Sequence, residues 1–456
     1  MDNTLGKSNF VKRLIIAFLT PLTVSSLFSG CSLPSLSEYL VKNTKQATEK
    51  TTVKEEVSTD TSSNGKKEKM DNNISVNSVV LSDWFSSVIT DNGDLYMWGN
   101  NFEGQLGDGT TTDSLTPKKI MSNVKSVSLG NSYSSAITQN GDLYMWGANQ
   151  QGQLGDGTVT NSLAPKKIMS NVKSVSLGSS YSSAIDENGD LFIWGNTDDT
   201  TNSLTPVKIM SNVKSVKLST GSYNRYSAIT ENGDLYMWGY NFDGQLGNGT
   251  KTYSSTPVKI MSNVKSVGLE DTYSSAITEN GDLYMWGDNF DGQLGDGTTT
   301  DSLAPKKIMS NVKSVSLGSS YSSSITKNGD LYIWGNNLYG VIGDGTTTSS
   351  SIPIKIMSNV KSVNLGYDSS SFLTENGDLY TWGNNQLGQL GNNTTNNSDI
   401  PIKVMNNVKS VSFGYYHTAV KTENGDLYTW GANSYGQLGN GTTNISCKPI
   451  KITIKK

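Results

Sequence analysis

The chain has 456 residues, with 36 lysines and arginines against 40 aspartates and glutamates, for a formal net charge of −4. That balance excludes the basic field that nucleic-acid binding requires. Apolar residues make up only 34 % while glycines number 46, a pairing that suits short strands and many turns better than helices.

At the N-terminus, Lys7, Lys12 and Arg13 precede an apolar stretch over 14–28, and Ser29, Gly30 and Cys31 follow it. A positive segment, a short apolar segment and small residues before a cleavage point describe an export signal over 1–30. The stretch is short and broken by Pro21, which disfavours a membrane span. A cysteine directly after Ser-Gly resembles the lipobox of bacterial lipoproteins, although Phe28 stands where that motif prefers a leucine. The resemblance implies that Cys31 is lipidated and holds the protein on the extracytoplasmic face of the cell membrane; an unlipidated chain would be secreted. Cys447, the only other cysteine, is then expected to be a small hydrophobe beside a strand, with no disulfide partner.

From residue 31 to 75 threonine, serine, lysine and glutamate dominate. Such a segment buries too little apolar surface to offset its ordering entropy. It is expected to be a flexible tether of roughly 35 Å r.m.s. length.

The rest of the chain, 76–456, is a repeat. The words Asn-Gly-Asp-Leu-Tyr-Met-Trp-Gly recur eight times with small changes, ending on Trp98, Trp146, Trp194, Trp238, Trp286, Trp334, Trp382 and Trp430. The spacing is 48 residues throughout except for one gap of 44, the signature of one supersecondary unit copied until the copies bury each other. In the unit starting at Val124, strands are predicted over 124–129, 133–138, 143–146 and 166–169. Alternating β-branched residues mark the first two, an apolar run the third, and Pro165 introduces the fourth. Asn140-Gly141 predicts a type I′ hairpin turn, with both residues at positive φ. An unbroken apolar strand such as Leu143-Tyr144-Met145-Trp146 is buried on both faces, as in a blade packed between two blades. Radially arranged four-stranded antiparallel sheets make a β-propeller. Eight whole units favour eight blades, with seven as the alternative.

The pattern Asn-Gly-Asp-Leu-Tyr-x-Trp-Gly-x-Asn followed by Gly-Gln-Leu-Gly-x-Gly-Thr, as at Gly147, Asn149, Gly152, Gln153, Leu154, Gly155 and Gly157, closely resembles the regulator of chromosome condensation repeat. The resemblance implies a seven-bladed propeller and, in the founding member of the family, nucleotide exchange on a small GTPase.

Catalytic chemistry is poorly supplied. His417 is the only histidine, and neither a triad nor a zinc site can be assembled around it and Cys447. The Asp of each Asn-Gly-Asp is expected to bond its own turn. No enzyme activity, metal or cofactor is expected.

Within the chain the hairpin Asn-Gly-Asp and the link Met-Ser-Asn barely vary, and in an up-and-down blade they share one face. The two connections on the opposite face vary. Between the first and second strands they present Trp84, Phe85, Tyr223, Arg225, Glu270, Asp271, Tyr367, Asp368, Tyr415 and Tyr416. After the third strand they present Glu103, Tyr240, Asp243, Asp291, Tyr339 and Tyr435. These residues are the candidate ligand face. Phe102, Phe242 and Phe290, each in Asn-Phe-x-Gly, are expected to pack beneath their loop instead. The resulting expectation is a monomeric, lipid-anchored, non-catalytic ring that binds a protein or glycan, with inhibition of an envelope or secreted enzyme as one form. An exchange-factor-like regulator is the alternative.

Overall fold

Thirty-two strands pair into eight separate four-stranded antiparallel sheets, each in simple up-and-down order. They come from a computed structural model that describes residues 74–196, 202–221 and 223–455, with no helix among them. The eight blades span 76–121, 124–169, 172–210, 213–261, 264–309, 312–357, 360–405 and 408–452. Eight blades settle the count against the seven that the family resemblance implied. The export signal and nearly all of the tether lie outside the described residues.

Blade 2 shows how the sequence makes the unit. Its strands are Val124–Leu129, Tyr133–Thr138, Leu143–Gly147 and Ser162–Met169. The first three match expectation to within one residue. The fourth begins four residues earlier than predicted and contains Pro165. It is an outer edge that pairs only with the third strand, where a residue without an N–H costs no ladder bond. The second and third strands are almost wholly buried because neighbouring blades cover both faces.

The hairpin departs from expectation. Gly141 alone is at positive φ (80°), while Asn140 is not. Gly141 N–H donates to Thr138 O and Thr138 N–H to Asp142 O. The loop is therefore one residue longer: a type I turn closed by a glycine bulge, which needs a single left-handed residue. The asparagine that does take positive φ is the one in the link between blades, Asn171 at 59°, since asparagine tolerates that region.

The Asp of each hairpin also does something other than expected. Asp142 accepts a hydrogen bond from the Lys167 ammonium on the fourth strand at 2.8 Å, and Lys167 and Ser170 hold its carboxyl below the usual range. Asp94, Asp190, Asp234, Asp282 and Asp330 repeat this clip to a fourth-strand lysine.

Two rings of hydrogen bonds run around the molecule. The first residue of each inner strand donates its N–H to the hairpin glycine carbonyl of the preceding blade, as Val124 does to Gly93 at 2.8 Å. Val76 closes the circle on Gly425 of blade 8 at 3.1 Å. Further out, seven of the eight repeat Trp indoles donate their N–H to a loop carbonyl of the blade before, for example Trp146 to Gln105, Trp194 to Gln153, and at the seam Trp98 to Gln437, all three at 2.9 Å. Trp238 has no such acceptor among the described residues, because unit three lacks the Gly-Gln-Leu-Gly loop. It is 5 % exposed where the other repeat tryptophans are fully buried. At the seam Val76, Val88, Tyr96 and Trp98 share one apolar cluster with Ala419, Leu427, Ile452 and Ile454.

Candidate functional site

In every blade except blade 3 the long loop after the third strand is tied down by one asparagine. Asn149 is fully buried; its Nδ2 donates to Asp156, Thr158 and Thr160, and its Oδ1 accepts from Leu154 N–H. Burial alone would raise Asp156, but Lys166, Thr158 and Asn149 outweigh it and bring the carboxyl down to about 2. Gly155 (φ 74°) closes the loop where a Cβ would meet Trp194 Nε1 at 2.6 Å. A loop so fixed holds its tip rigidly above the ring.

Those tips carry the residues that the sequence reading misplaced. Phe102, Phe242 and Phe290 are 75 %, 62 % and 74 % exposed instead of packed. The buried asparagine and the Leu of Gly-Gln-Leu-Gly fill the space beneath, so the residue after the asparagine is pushed to the turn apex. Leu338 is exposed in the same position of blade 6.

Around the closure of the ring the aromatics meet. Trp84, partly exposed, lies 6.1 Å from Tyr415 and 5.6 Å from Tyr435. Tyr415 contacts Tyr367 at 4.7 Å and Tyr416 at 4.4 Å. Trp84 and Tyr416 are thus joined through Tyr415, in a patch spanning blades 7, 8 and 1. A second group stands on blade 4, where Tyr223 stacks on Tyr240 at 3.9 Å and Phe242 meets Tyr240 edge-on. Trp84, Phe102, Glu103, Asp113, Tyr435 and their neighbours enclose a groove of about 400 Å³.

Two candidates are not on the surface at all. Phe85 and Arg225 are buried because each opens a second strand, the position held elsewhere by Tyr133, Tyr181, Tyr273 and Tyr321. There the side chain bridges to the next blade: Tyr133 Oη donates to Tyr181 O at 2.7 Å, and Arg225 Nη2 to Glu270 O. His417 holds the same position, its Nε2 3.2 Å from Ser86 Oγ across the seam. Burial pushes its imidazole down to about 3, so it is neutral and structural. Tyr339 packs largely against the core of blades 6 and 7.

The acidic candidates gather on the variable face. Asp271 is exposed, while Glu103, Asp243, Asp291 and Asp368 are half-buried. Asp291 accepts from Asn336 at 3.1 Å. Burial raises Asp368 to about 6 and also raises Asp243, with the charges of Asp288 and Asp301 adding to the shift. Burial pushes Glu270 up to about 8, with Asp271 adding and Arg225 opposing.

A folded-state value above the usual 4.5 means that the folded protein holds the extra proton. The stability linked to Glu270 is therefore fully present below the unfolded value and is lost as pH rises towards 8. Glu270→Gln removes that loss. Its melting temperature should climb relative to the parent between about pH 5 and 8, and parallel profiles would show that the carboxylate is solvated. Cys447 is buried in the last strand of blade 8; the chain's other cysteine, Cys31, lies outside the described residues.

Comparison with known proteins adds a family pattern. A family model described as an RCC1-like domain matches residues 41–323. The regulator of chromosome condensation (RCC1) repeat matches 328–373, 376–420 and 424–456. No curated protein matches. Among solved structures, human WBSCR16 is 21 % identical with a TM-score of 0.55, over 69 % of this chain and 94 % of that one. Prp20p from Saccharomyces cerevisiae is 20 % identical with a TM-score of 0.54, over 77 % and 93 % respectively. At such identities the likeness is one of fold.

Proposed function

The chain belongs to the regulator of chromosome condensation (RCC1) repeat family, and on that premise we propose that it is a non-catalytic scaffold which binds a protein through its variable face. The observation that carries this reading is the aromatic patch of Tyr367, Tyr415, Tyr416, Trp84 and Tyr435 on rigid loops. Tyr and Trp dominate binding hot spots because they supply large contact area at small entropic cost. Prp20p is described with binding to Gsp1p and histones, and in complex with Kap60. From this we carry over only that rings of this kind engage proteins. Exchange-factor activity is the weaker reading, since an exported chain would not meet a cytoplasmic GTPase.

We further propose that Cys31 is the lipid anchor. Val76 N–H bonds the hairpin glycine Gly425, so the described chain starts on the invariant face and a tether there leaves the variable face pointing outward. Lipidation and a disulfide are alternatives at Cys31, because the chain has only two cysteines.

The test has two arms. The full chain is used to capture proteins from envelope extract, and the Trp84→Ala/Tyr415→Ala variant should lose the captured partner while melting like the parent. Capture that falls only in proportion to unfolding would refute the face. In a bacterial host, Cys31→Ala should move from the membrane to the soluble fraction. An intact mass showing two fewer hydrogens and no lipid would refute the anchor.

A further inference from the structure

We propose that the groove between blades 8, 1 and 2 takes the lysine and arginine side chains of a cationic protein segment. This deepens the variable-face reading and rests on it. Three aromatic side chains, Trp84, Phe102 and Tyr435, line the groove beside the carboxylates of Glu103 and Asp113.

Both carboxylates are held in place by neutral donors. Glu103 Oε2 accepts from Gln150 Nε2 at 2.9 Å and from Asn161 Nδ2 at 2.5 Å. Asp113 Oδ1 accepts the backbone N–H of Asn101 at 2.8 Å. Neither has an ion-pair partner among the described residues, in contrast to Asp108, Asp156 and Asp296, each of which holds a fourth-strand lysine.

The wider face has the same sign. Apart from Lys251, paired to Asp301 at 2.9 Å, and the buried Arg225, every charged residue in its described loops is acidic. A cation above an aromatic face gains from the ring quadrupole, more so when partly desolvated. Two fixed, uncompensated carboxylates beside exposed rings complement that ligand. A neutral glycan could stack on the rings and donate hydroxyls to the carboxylates but would leave their charge uncompensated, and an acidic partner would be repelled by the whole face.

The experiment titrates the full chain with fluorescently labelled nona-arginine, nona-glutamate and chitohexaose at low and high salt. Nona-arginine should bind, more weakly at high salt, and nona-glutamate should not. Glu103→Gln and Trp84→Ala should each weaken nona-arginine about tenfold, the size of one lost charge or cation–π contact. Glutamine is a compatible replacement, since Gln151 holds the same place in blade 2. Glu423→Gln removes an equal charge from the opposite face and should leave the affinity unchanged. Weakening by Glu423→Gln to the same degree, or no nona-arginine binding, would overturn the proposal. Binding of chitohexaose that Trp84→Ala abolishes, with nona-arginine unaffected by either groove variant, would keep the face and discard the cationic partner. Insensitivity of every ligand to Trp84→Ala would discard the face as well.

Discussion

Deleting residues 408–456 is expected to unfold the remainder cooperatively at far lower denaturant than the parent, with a loss well beyond one blade's share. Blade 8 supplies one side of the closure, against blade 1, and also covers blade 7. Without it Trp98 loses its acceptor at Gln437, Val76 its partner at Gly425, and Asn77 O its bond from Lys421 Nζ. The loop bond from Gly441 N–H to Leu115 O goes too. The cluster around Val76, Val88, Tyr96 and Trp98 is opened to water, and a fresh face on blade 7 is bared at the same time. An open stack of repeats would instead lose one unit and one interface, because its stability is close to a sum of unit and neighbour terms. Equilibrium unfolding in guanidinium measures the difference. A midpoint and slope reduced by only about one-eighth would mean that closure contributes nothing.

The units, their eightfold count and the first three strands of each were legible because they rest on local signals: alternation, an apolar run and a fixed period. What sequence alone obscured depended on neighbours. Pro165 reads as a strand boundary until Ser162–Met169 is known to be an outer edge. Asn140-Gly141 reads as a two-residue turn until Thr138 and Asp142 are seen to close a longer one. The aspartates of the hairpins read as local turn formers, whereas their carboxylates reach across to fourth-strand lysines. Phe102 reads as core because an isolated phenylalanine usually is, yet the buried Asn101 and Leu106 already occupy the space below it. Arg225 was assigned to a surface loop because the inserted residues before it hide the strand register. Phe85 carried no such excuse, since it aligns directly with Tyr133. The groove itself is not periodic. It arises where unit one meets unit eight, so only closure of the ring brings Trp84 to Tyr435.

The second large effect is expected at the repeat tryptophans, where the ring contains its own control. Trp194→Ala should destabilise by about 3–5 kcal/mol, the cost of a buried indole plus its residual cavity. Trp238→Ala should cost somewhat less, because that indole is 5 % exposed where Trp194 is fully buried. The sharper comparison replaces each by phenylalanine. Trp194→Phe keeps much of the packing but loses the indole donor to Gln153 O. That carbonyl still accepts from Ser182 Oγ at 2.8 Å, so the loss is one hydrogen bond rather than an orphaned acceptor, about 1 kcal/mol. Trp238→Phe has no such bond to lose among the described residues, and its cost should come from packing alone. The difference between the two phenylalanine variants, read from denaturant midpoints at constant slope, therefore reports the hydrogen bond between adjacent blades. Equal costs would mean that the outer ring of indole bonds contributes nothing net, and that packing and the inner ring of backbone bonds hold the blades together.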